Sequence, residues 1–311
     1  MKRVCFLIND VPTTRPTNCL VLANALFERG DQVYLGLIDA LALHAGDVLG
    51  QLWRIDAPLS PGDLPPGGPG EQVDLATMDD VWVLGFGKRE SFLDKMQLLW
   101  ALSRYTRVIN SVDTLMFLHN KYHLGIHLHD EVFQYPETWA SADFDLLWDV
   151  FRQGGGSWVV KPPARSLGRD VFLLRQDDPN ARVILQNMTG HGTNQFCIMQ
   201  RYIPEILSGE KRVLIAEGQV MGQYKRVAQD DHRTNLHQGA VPSVCALDPQ
   251  EAALCNQLGQ YLNEVGAHFV GIDLVYPYIL EMNVLSPGGI VTILELTGQN
   301  LAPHIVRRVI G

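Results

Sequence analysis

Two apolar runs near the end of the chain, separated by a short turn, constrain its fold most. Residues 269–275 (FVGIDLV) and 278–284 (YILEMNV) each have the length and apolar content of a buried strand. We therefore expect a β-hairpin. Alternate residues of a strand share a face, so Glu281 and Asn283 point the same way, and the hairpin can set Asp273 beside them.

These three side chains form a candidate metal site made only of oxygen donors. Oxygen ligands suit Mg²⁺ or Mn²⁺, which proteins commonly bind together with nucleotide phosphates. The alternative is a hairpin whose acids are merely solvated. Glu281 and Asn283 interrupt an otherwise apolar run, which favours the metal site.

Composition excludes several classes of protein. The 311 residues carry a net charge of −9 with a pI near 5.5, which argues against non-specific nucleic-acid binding. The short apolar run at residues 4–8 is too brief for a signal sequence or a membrane span. The five cysteines show no paired spacing, as expected for reduced thiols rather than a disulfide framework or zinc site. We expect a cytoplasmic protein that partners neither membranes nor nucleic acid.

The beginning of the chain has the pattern of a parallel βαβ unit. Residues 2–9 and 32–38 are strand-like, and the apolar stripe of residues 18–30 predicts a helix between them. This order predicts an α/β fold. Arg15 follows the first strand, at the sheet edge where α/β proteins tend to bind ligands. It is a candidate partner for a substrate carboxylate, although a solvated loop arginine is the simpler interpretation.

The order of elements predicts three segments: an N-terminal α/β substrate-side domain at residues 1–118, a central lid subdomain at 119–204, and a C-terminal subdomain with the metal site at 205–311. No internal repeat is present.

Short strings in the second half resemble one enzyme family. They are residues 159–162 (VVKP), 200–206 (QRYIPEI), 209–213 (GEKRV), 233–236 (RTNL), 269–273 (FVGID) and 280–287 (LEMNVLSP). Taken together, in this order and spacing, they resemble the bacterial glutathione synthetase branch of the ATP-grasp superfamily over roughly residues 110–295. The resemblance implies an ATP-grasp fold preceded by a βαβ preATP-grasp domain.

The resemblance also implies an activity: ATP-dependent carboxylate–amine ligation through an acyl phosphate, with ATP, an acid and an amine as partners and Mg²⁺ or Mn²⁺ as cofactor. Homo-oligomerisation is implied by the family as well. The implied roles are metal binding by Asp273, Glu281 and Asn283; phosphate contact by Lys121, Lys161 and Arg212; adenine binding by Gln200, Arg201, Tyr202 and Ile203; and bridging of phosphate and reacting carboxylate by Arg233 and Asn235.

Three departures from the family pattern concern the substrate side. The lid loop at residues 164–170 (ARSLGRD) has a single glycine where the family has several, residues 288–292 (GGIVT) lack the usual Ile-Arg-Glu string, and the first-strand loop lacks a lysine- and serine-rich pattern. Three functions therefore stay open. The ligase joins γ-glutamylcysteine to glycine, or it joins a different acid and amine, as a γ-glutamyl amino-acid ligase does, or the protein binds ATP without turnover.

Overall fold

The computed structural model describes residues 1–12, 15–122, 132–163, 170–229 and 234–311. Their helices are α1 (Asn18–Glu28), α2 (Phe92–Leu102), α3 (Val112–Phe117), α4 (Phe144–Gly154), α5 (Ala181–Met188), α6 (Pro249–Glu264), α7 (Ile290–Thr297) and α8 (Ala302–Ile310). Their strands are β1 (Arg3–Ile8), β2 (Gln32–Leu37), β3 (Ala42–His44), β4 (Asp47–Arg54), β5 (Glu71–Asp74), β6 (Asp80–Val83), β7 (Arg107–Ile109), β8 (Thr138–Ser141), β9 (Trp158–Lys161), β10 (Phe172–Leu174), β11 (Cys197–Arg201), β12 (Glu210–Ala216), β13 (Gln219–Val227), β14 (Val241–Ser243), β15 (Phe269–Val275) and β16 (Tyr278–Asn283).

The first sheet is mixed and has seven strands in the order β3-β4-β2-β1-β6-β7, with β5 paired to β4. Strand β1 is parallel to β2 and to β6, and α1 connects β1 to β2. Parallel neighbours require such a crossover, so the predicted βαβ unit and the α/β class are confirmed. Strand β1 is apolar almost throughout because both of its faces are covered.

The second sheet has four strands in the order β10-β9-β11-β8, paired antiparallel. Helices α4 and α5 cover one of its faces, where Phe151 and Leu185 pack with Trp158 and Met199 in one buried cluster. Asp143 caps α4 by accepting a hydrogen bond from the Leu146 N–H.

The third sheet is antiparallel, in the order β14-β13-β12-β15-β16. Its hairpin of β15 and β16 is the one the sequence predicted. On β12, Val213 and Ile215 face one way and pack under α6. The even-numbered residues of β12 face the other way: Leu214 and Ala216 pack with α7 and α8, whereas Glu210 and Arg212 line a cleft. One sheet face is therefore apolar at one end and charged at the other.

Asn110, which follows β7, joins the first and third sheets. Its side-chain nitrogen donates to the carbonyl oxygens of Phe269 at 2.9 Å and Val284 at 2.6 Å, and its oxygen accepts from the Phe269 N–H at 2.8 Å. Helix α8 also returns to pack beside α1 in the core around β1. The segment boundaries at 118 and 204 stay predictions. Within the described ranges, no helix is long and apolar enough to cross a membrane.

Candidate active site

A cleft of about 990 Å³ lies between the second and third sheets. One wall carries Lys161 and Gln200 from β9 and β11, and the opposite wall carries Arg212, Asp273 and Glu281 from the third sheet. The loop after β1 and the start of α7 close one end. A concave site with converging polar groups is the usual form of a small-molecule site.

Strand register explains why charged side chains gather on one face of the third sheet. Arg212 on β12 lies opposite Asp273 on β15, and Asp273 lies opposite Glu281 on β16. Directly opposed residues of antiparallel strands share a face. Arg226 on β13 lies opposite Glu210, two residues before Arg212 and so on the same face.

Two arginines bond the carboxylate of Asp273. Arg212 reaches Oδ1 through Nε at 2.6 Å and Oδ2 through Nη2 at 3.0 Å, and Arg226 reaches Oδ1 through Nη2 at 2.6 Å. Burial by itself would raise the pKa of Asp273, but the two guanidinium charges outweigh burial and lower this pKa to about 2. Asp273 is therefore ionised at neutral pH.

Two lysines lie beside the next acid. The Lys121 ammonium is 2.8 Å from Oε1 of Glu281. Burial would raise the pKa of Glu281, but the charge of Lys121 outweighs it and the pKa is lowered. Lys161 is buried and donates at 2.8 Å to the neutral side-chain oxygen of Gln200. Burial lowers the pKa of Lys161 to about 8, although the charge of Glu281 partly opposes that shift.

The predicted adenine segment runs along the cleft, but its side chains point in different directions. All four of its residues, Gln200, Arg201, Tyr202 and Ile203, line the cleft. The Arg201 guanidinium lies 3.7 Å from the centre of the Trp158 ring and 2.9 Å from a carboxylate oxygen of Glu137. Consecutive residues of a strand point to opposite faces, so the Arg201 side chain lies on the face opposite Gln200, where its guanidinium contacts Trp158 and Glu137.

Of the predicted pair Arg233 and Asn235, which follows β13, the structure describes only Asn235. Arg233 and residues 164–169 of the predicted lid loop lie outside the described residues. Asn235 lines the cleft, and the buried Thr234 hydroxyl hydrogen-bonds to Glu210.

The donor set fits Mg²⁺ or Mn²⁺. Glu281 uses one carboxylate oxygen for Lys121, and its other oxygen has no hydrogen bond to a described residue; the same holds for the Asn283 amide oxygen. Mg²⁺ is commonly held by one or two carboxylates together with substrate phosphates. Glu281 and Asn283 would hold such an ion, with Asp273 joining once one of its protein donors has moved.

Sequence reasoning missed two buried residues of this site, Arg226 and Glu210. Their side chains are 5% and 6% exposed and form an ion pair. Burial raises the pKa of Glu210, against the charge of Arg226. The sequence feature that could have revealed this pair is Arg226 itself, a charged residue in the strand that pairs with residues 209–213 (GEKRV).

The end of the cleft beside α7 carries few charges. Arg15, an exposed residue, lines it from the loop after β1, and Val291, Thr292 and Glu295 line it from α7. Positions 291, 292 and 295 share a helix face, so these side chains form one wall. That wall presents an apolar group, a hydroxyl and an acid, and no cation.

Comparison with known proteins identifies the family. A family model for the prokaryotic glutathione synthetase ATP-grasp domain matches residues 127–298. The glutathione synthetase of Agrobacterium fabrum is 31% identical over 234 residues, covering 75% of this chain and 72% of that protein. The chain belongs to the prokaryotic glutathione synthetase family. It is an ATP-grasp, ATP-dependent ligase that forms C–N bonds.

A further member of this family and two solved structures are also similar to this chain. The glutathione synthetase of Rhodopseudomonas palustris is 29% identical over 279 residues, covering 89% of this chain and 87% of that protein. A RimK domain ATP-grasp protein from Sphaerobacter thermophilus has a TM-score of 0.67 at 19% identity, covering 99% of this chain and 100% of that one. D-cycloserine synthetase DcsG has a TM-score of 0.69 at 16% identity, covering 98% of this chain and 99% of that one. These structures share the ATP-grasp fold with the ligase.

Proposed function

We propose that this ligase activates a carboxylate as an acyl phosphate with ATP and transfers the acyl group to an amine, with γ-glutamylcysteine and glycine as the first pair to test. The observation that carries the proposal is the convergence of Lys121, Lys161, Asp273 and Glu281 in one cleft, although Lys121 and Glu281 are 160 residues apart. Phosphoryl transfer depends mainly on such positioning and charge neutralisation. The named relatives are glutathione synthetases.

The chemistry has two steps. A carboxylate oxygen of the acid attacks the γ-phosphorus of ATP, the bond to the β–γ bridging oxygen breaks, and ADP leaves. The amine nitrogen then attacks the acyl carbon and loses a proton, and the carbon–oxygen bond to phosphate breaks. Lys161 and Lys121 bind the phosphate oxygens in both steps, and Arg212 faces the transferred phosphoryl group.

Mg²⁺ would supply neutralisation of the phosphate charge. Glu281, Asn283 and Asp273 would hold it. Backbone groups of residues 200–203 bind the adenine edge, and Arg233 with Asn235 bridges the phosphate and the reacting carboxylate.

A second candidate is ligation of a different acid and amine, such as a γ-glutamyl amino-acid ligase reaction. The α7 wall of Val291 and Thr292 favours it, because the family string places an arginine and a glutamate there. An apolar group and a hydroxyl do not bind a substrate carboxylate as a guanidinium does. The acid or amine would then be one without a carboxylate at that position.

A screen of ADP release over acid and amine pairs separates the candidates. The first predicts ADP formation that requires both γ-glutamylcysteine and glycine, with glutathione detected by mass spectrometry. The second predicts no turnover with that pair and turnover with another. ATP binding without ADP formation for any pair would remove both and leave a nucleotide-binding protein.

Three further expectations complete the proposal: the segments divide at residues 118 and 204, the ligase is a homo-oligomer, and its location is cytoplasmic. Light scattering during size exclusion measures the oligomeric state, and a monomer would contradict that part.

A further inference from the structure

The proposed metal-binding acids of the cleft are bonded by the proposed phosphate-binding cations. Lys121 pairs with Glu281 at 2.8 Å, and Arg212 pairs with Asp273 through two contacts of 2.6 and 3.0 Å. These groups are largely buried, with side-chain exposures of 14% and 27% for the first pair and 8% and 7% for the second. Each acid therefore neutralises a cation that ATP would otherwise use.

Both carboxylate oxygens of Asp273 already accept hydrogen bonds from side chains of the protein. A carboxylate has about four lone-pair positions. At Oδ1 the donors are Arg212 Nε and Arg226 Nη2; at Oδ2 they are Arg212 Nη2 and, at 3.4 Å, Asn283 Nδ2. A metal ion can reach Asp273 only after one of these donors has moved away.

The donors differ in how firmly they are held elsewhere. Arg226 is held by Glu210, which bonds the same Nη2 atom that contacts Asp273, and it is buried. Lys121 has no second side-chain acid among its described partners, and its backbone N–H is fixed to the Pro163 carbonyl oxygen at 3.1 Å. The Lys121 side chain is therefore the donor best placed to turn while its backbone stays.

We propose that the site binds metal and phosphate by exchange of partners: Glu281 passes from Lys121 to the metal ion as Lys121 passes to a phosphate oxygen, and Arg212 follows in the same way. The inference rests on the proposed function only in placing ATP and a divalent cation in this cleft. Its consequence is coupling. Either ligand alone must break the Lys121–Glu281 ion pair and leave one of these two charges without that partner, whereas the two ligands together satisfy both charges. Asp273 keeps Arg226 as a partner when Arg212 leaves.

Nucleotide binding without metal tests the exchange most directly. In Glu281→Gln the amide keeps the shape and still accepts a hydrogen bond, but it no longer holds the Lys121 charge. We expect ATP in EDTA, measured by calorimetry, to bind about tenfold more tightly to this variant than to the wild type, since a charge-assisted hydrogen bond no longer competes. Added Mg²⁺ should then improve ATP affinity far less than in the wild type.

The reciprocal variant, Lys121→Met, should raise the affinity for metal and lower the affinity for ATP. In Lys121→Met, Mn²⁺ alone should bind about tenfold more tightly than to the wild type, because Glu281 is released, and ATP in EDTA should bind more weakly. Lys121→Met leaves a carboxylate without its partner, so thermal denaturation checks its folding. The double variant Lys121→Met/Glu281→Gln removes the unpaired charge and should lose both gains.

Glu264→Gln is the control for the loss of one acidic charge, since Glu264 is exposed on α6, does not line the cleft and forms no ion pair with a described residue. Its affinity for ATP in EDTA should stay within about twofold of the wild type. The proposal is overturned if Glu281→Gln binds ATP in EDTA no more tightly than this control does. None of these measurements uses an acid or amine substrate. A failed substrate screen would therefore contradict the proposed reaction without contradicting the exchange of partners.

Discussion

The lowered pKa of Lys161 predicts how the affinity for ATP depends on pH. Its ammonium is buried, its hydrogen-bond partner Gln200 is neutral, and burial lowers its pKa from 10.5 to about 8. The sign follows from the protonated form being the charged one. Below the pKa the lysine is charged and attracts phosphate; above it the neutral amine does not. ATP affinity should therefore fall as the pH rises through 8.

The size of the effect follows from the charged fraction. With a pKa of about 8, Lys161 is about 90% charged at pH 7 and about 10% charged at pH 9. If phosphate binds only the charged form, the Kd for ATP rises about tenfold across this interval. Binding at pH 9 should also take up a proton, because phosphate stabilises the ammonium.

Calorimetry in two buffers of different ionisation enthalpy measures both the Kd and the proton uptake. The control is Lys161→Arg, whose guanidinium stays charged throughout. Its Kd should be flat between pH 7 and 9 and its proton uptake close to zero, even if its affinity is lower. A wild-type Kd that does not change across this interval, or an equal slope in Lys161→Arg, would refute the reasoning.

Three further variants test the frame around the site. Asn110→Ala leaves three buried backbone groups without partners and should cost about 3–5 kcal/mol in urea unfolding; a loss below about 1 kcal/mol would contradict its role in joining the sheets. Arg201→Ala removes the contact with Trp158 and should cost about 1 kcal/mol of stability, while the Kd for ATP stays within about twofold; a large loss of affinity would show that its side chain, not its backbone, meets the nucleotide. Arg226→Met leaves Glu210 buried without its partner and should destabilise by about 3–5 kcal/mol, measured by denaturant titration; an unchanged midpoint would show that the pair is dispensable.

The sequence alone determines the part of the site whose residues lie close together in the chain. Glu281 and Asn283 share a face because a strand alternates, and Asp273 joins them because the hairpin pairs it with Glu281. These relations span ten residues or fewer. The apolar pattern of each element of the βαβ unit is also local, and it is confirmed in β1, α1 and β2.

The tertiary structure decides which charges meet. Lys121 reaches Glu281 only because separate segments pack around one cleft, and no spacing rule relates residues so far apart in the chain. Arg226 was missed because its importance depends on its contact with Asp273, which lies on β15, two strands away in the third sheet. Alternation along β11 already turns Arg201 away from Gln200, but the partner it meets there, the Trp158 ring 43 residues earlier, is set by the pairing of β11 with β9. Alternation along a strand depends on backbone geometry and can be read from the sequence, whereas an ion pair depends on the summed packing of distant elements, which local patterns do not contain.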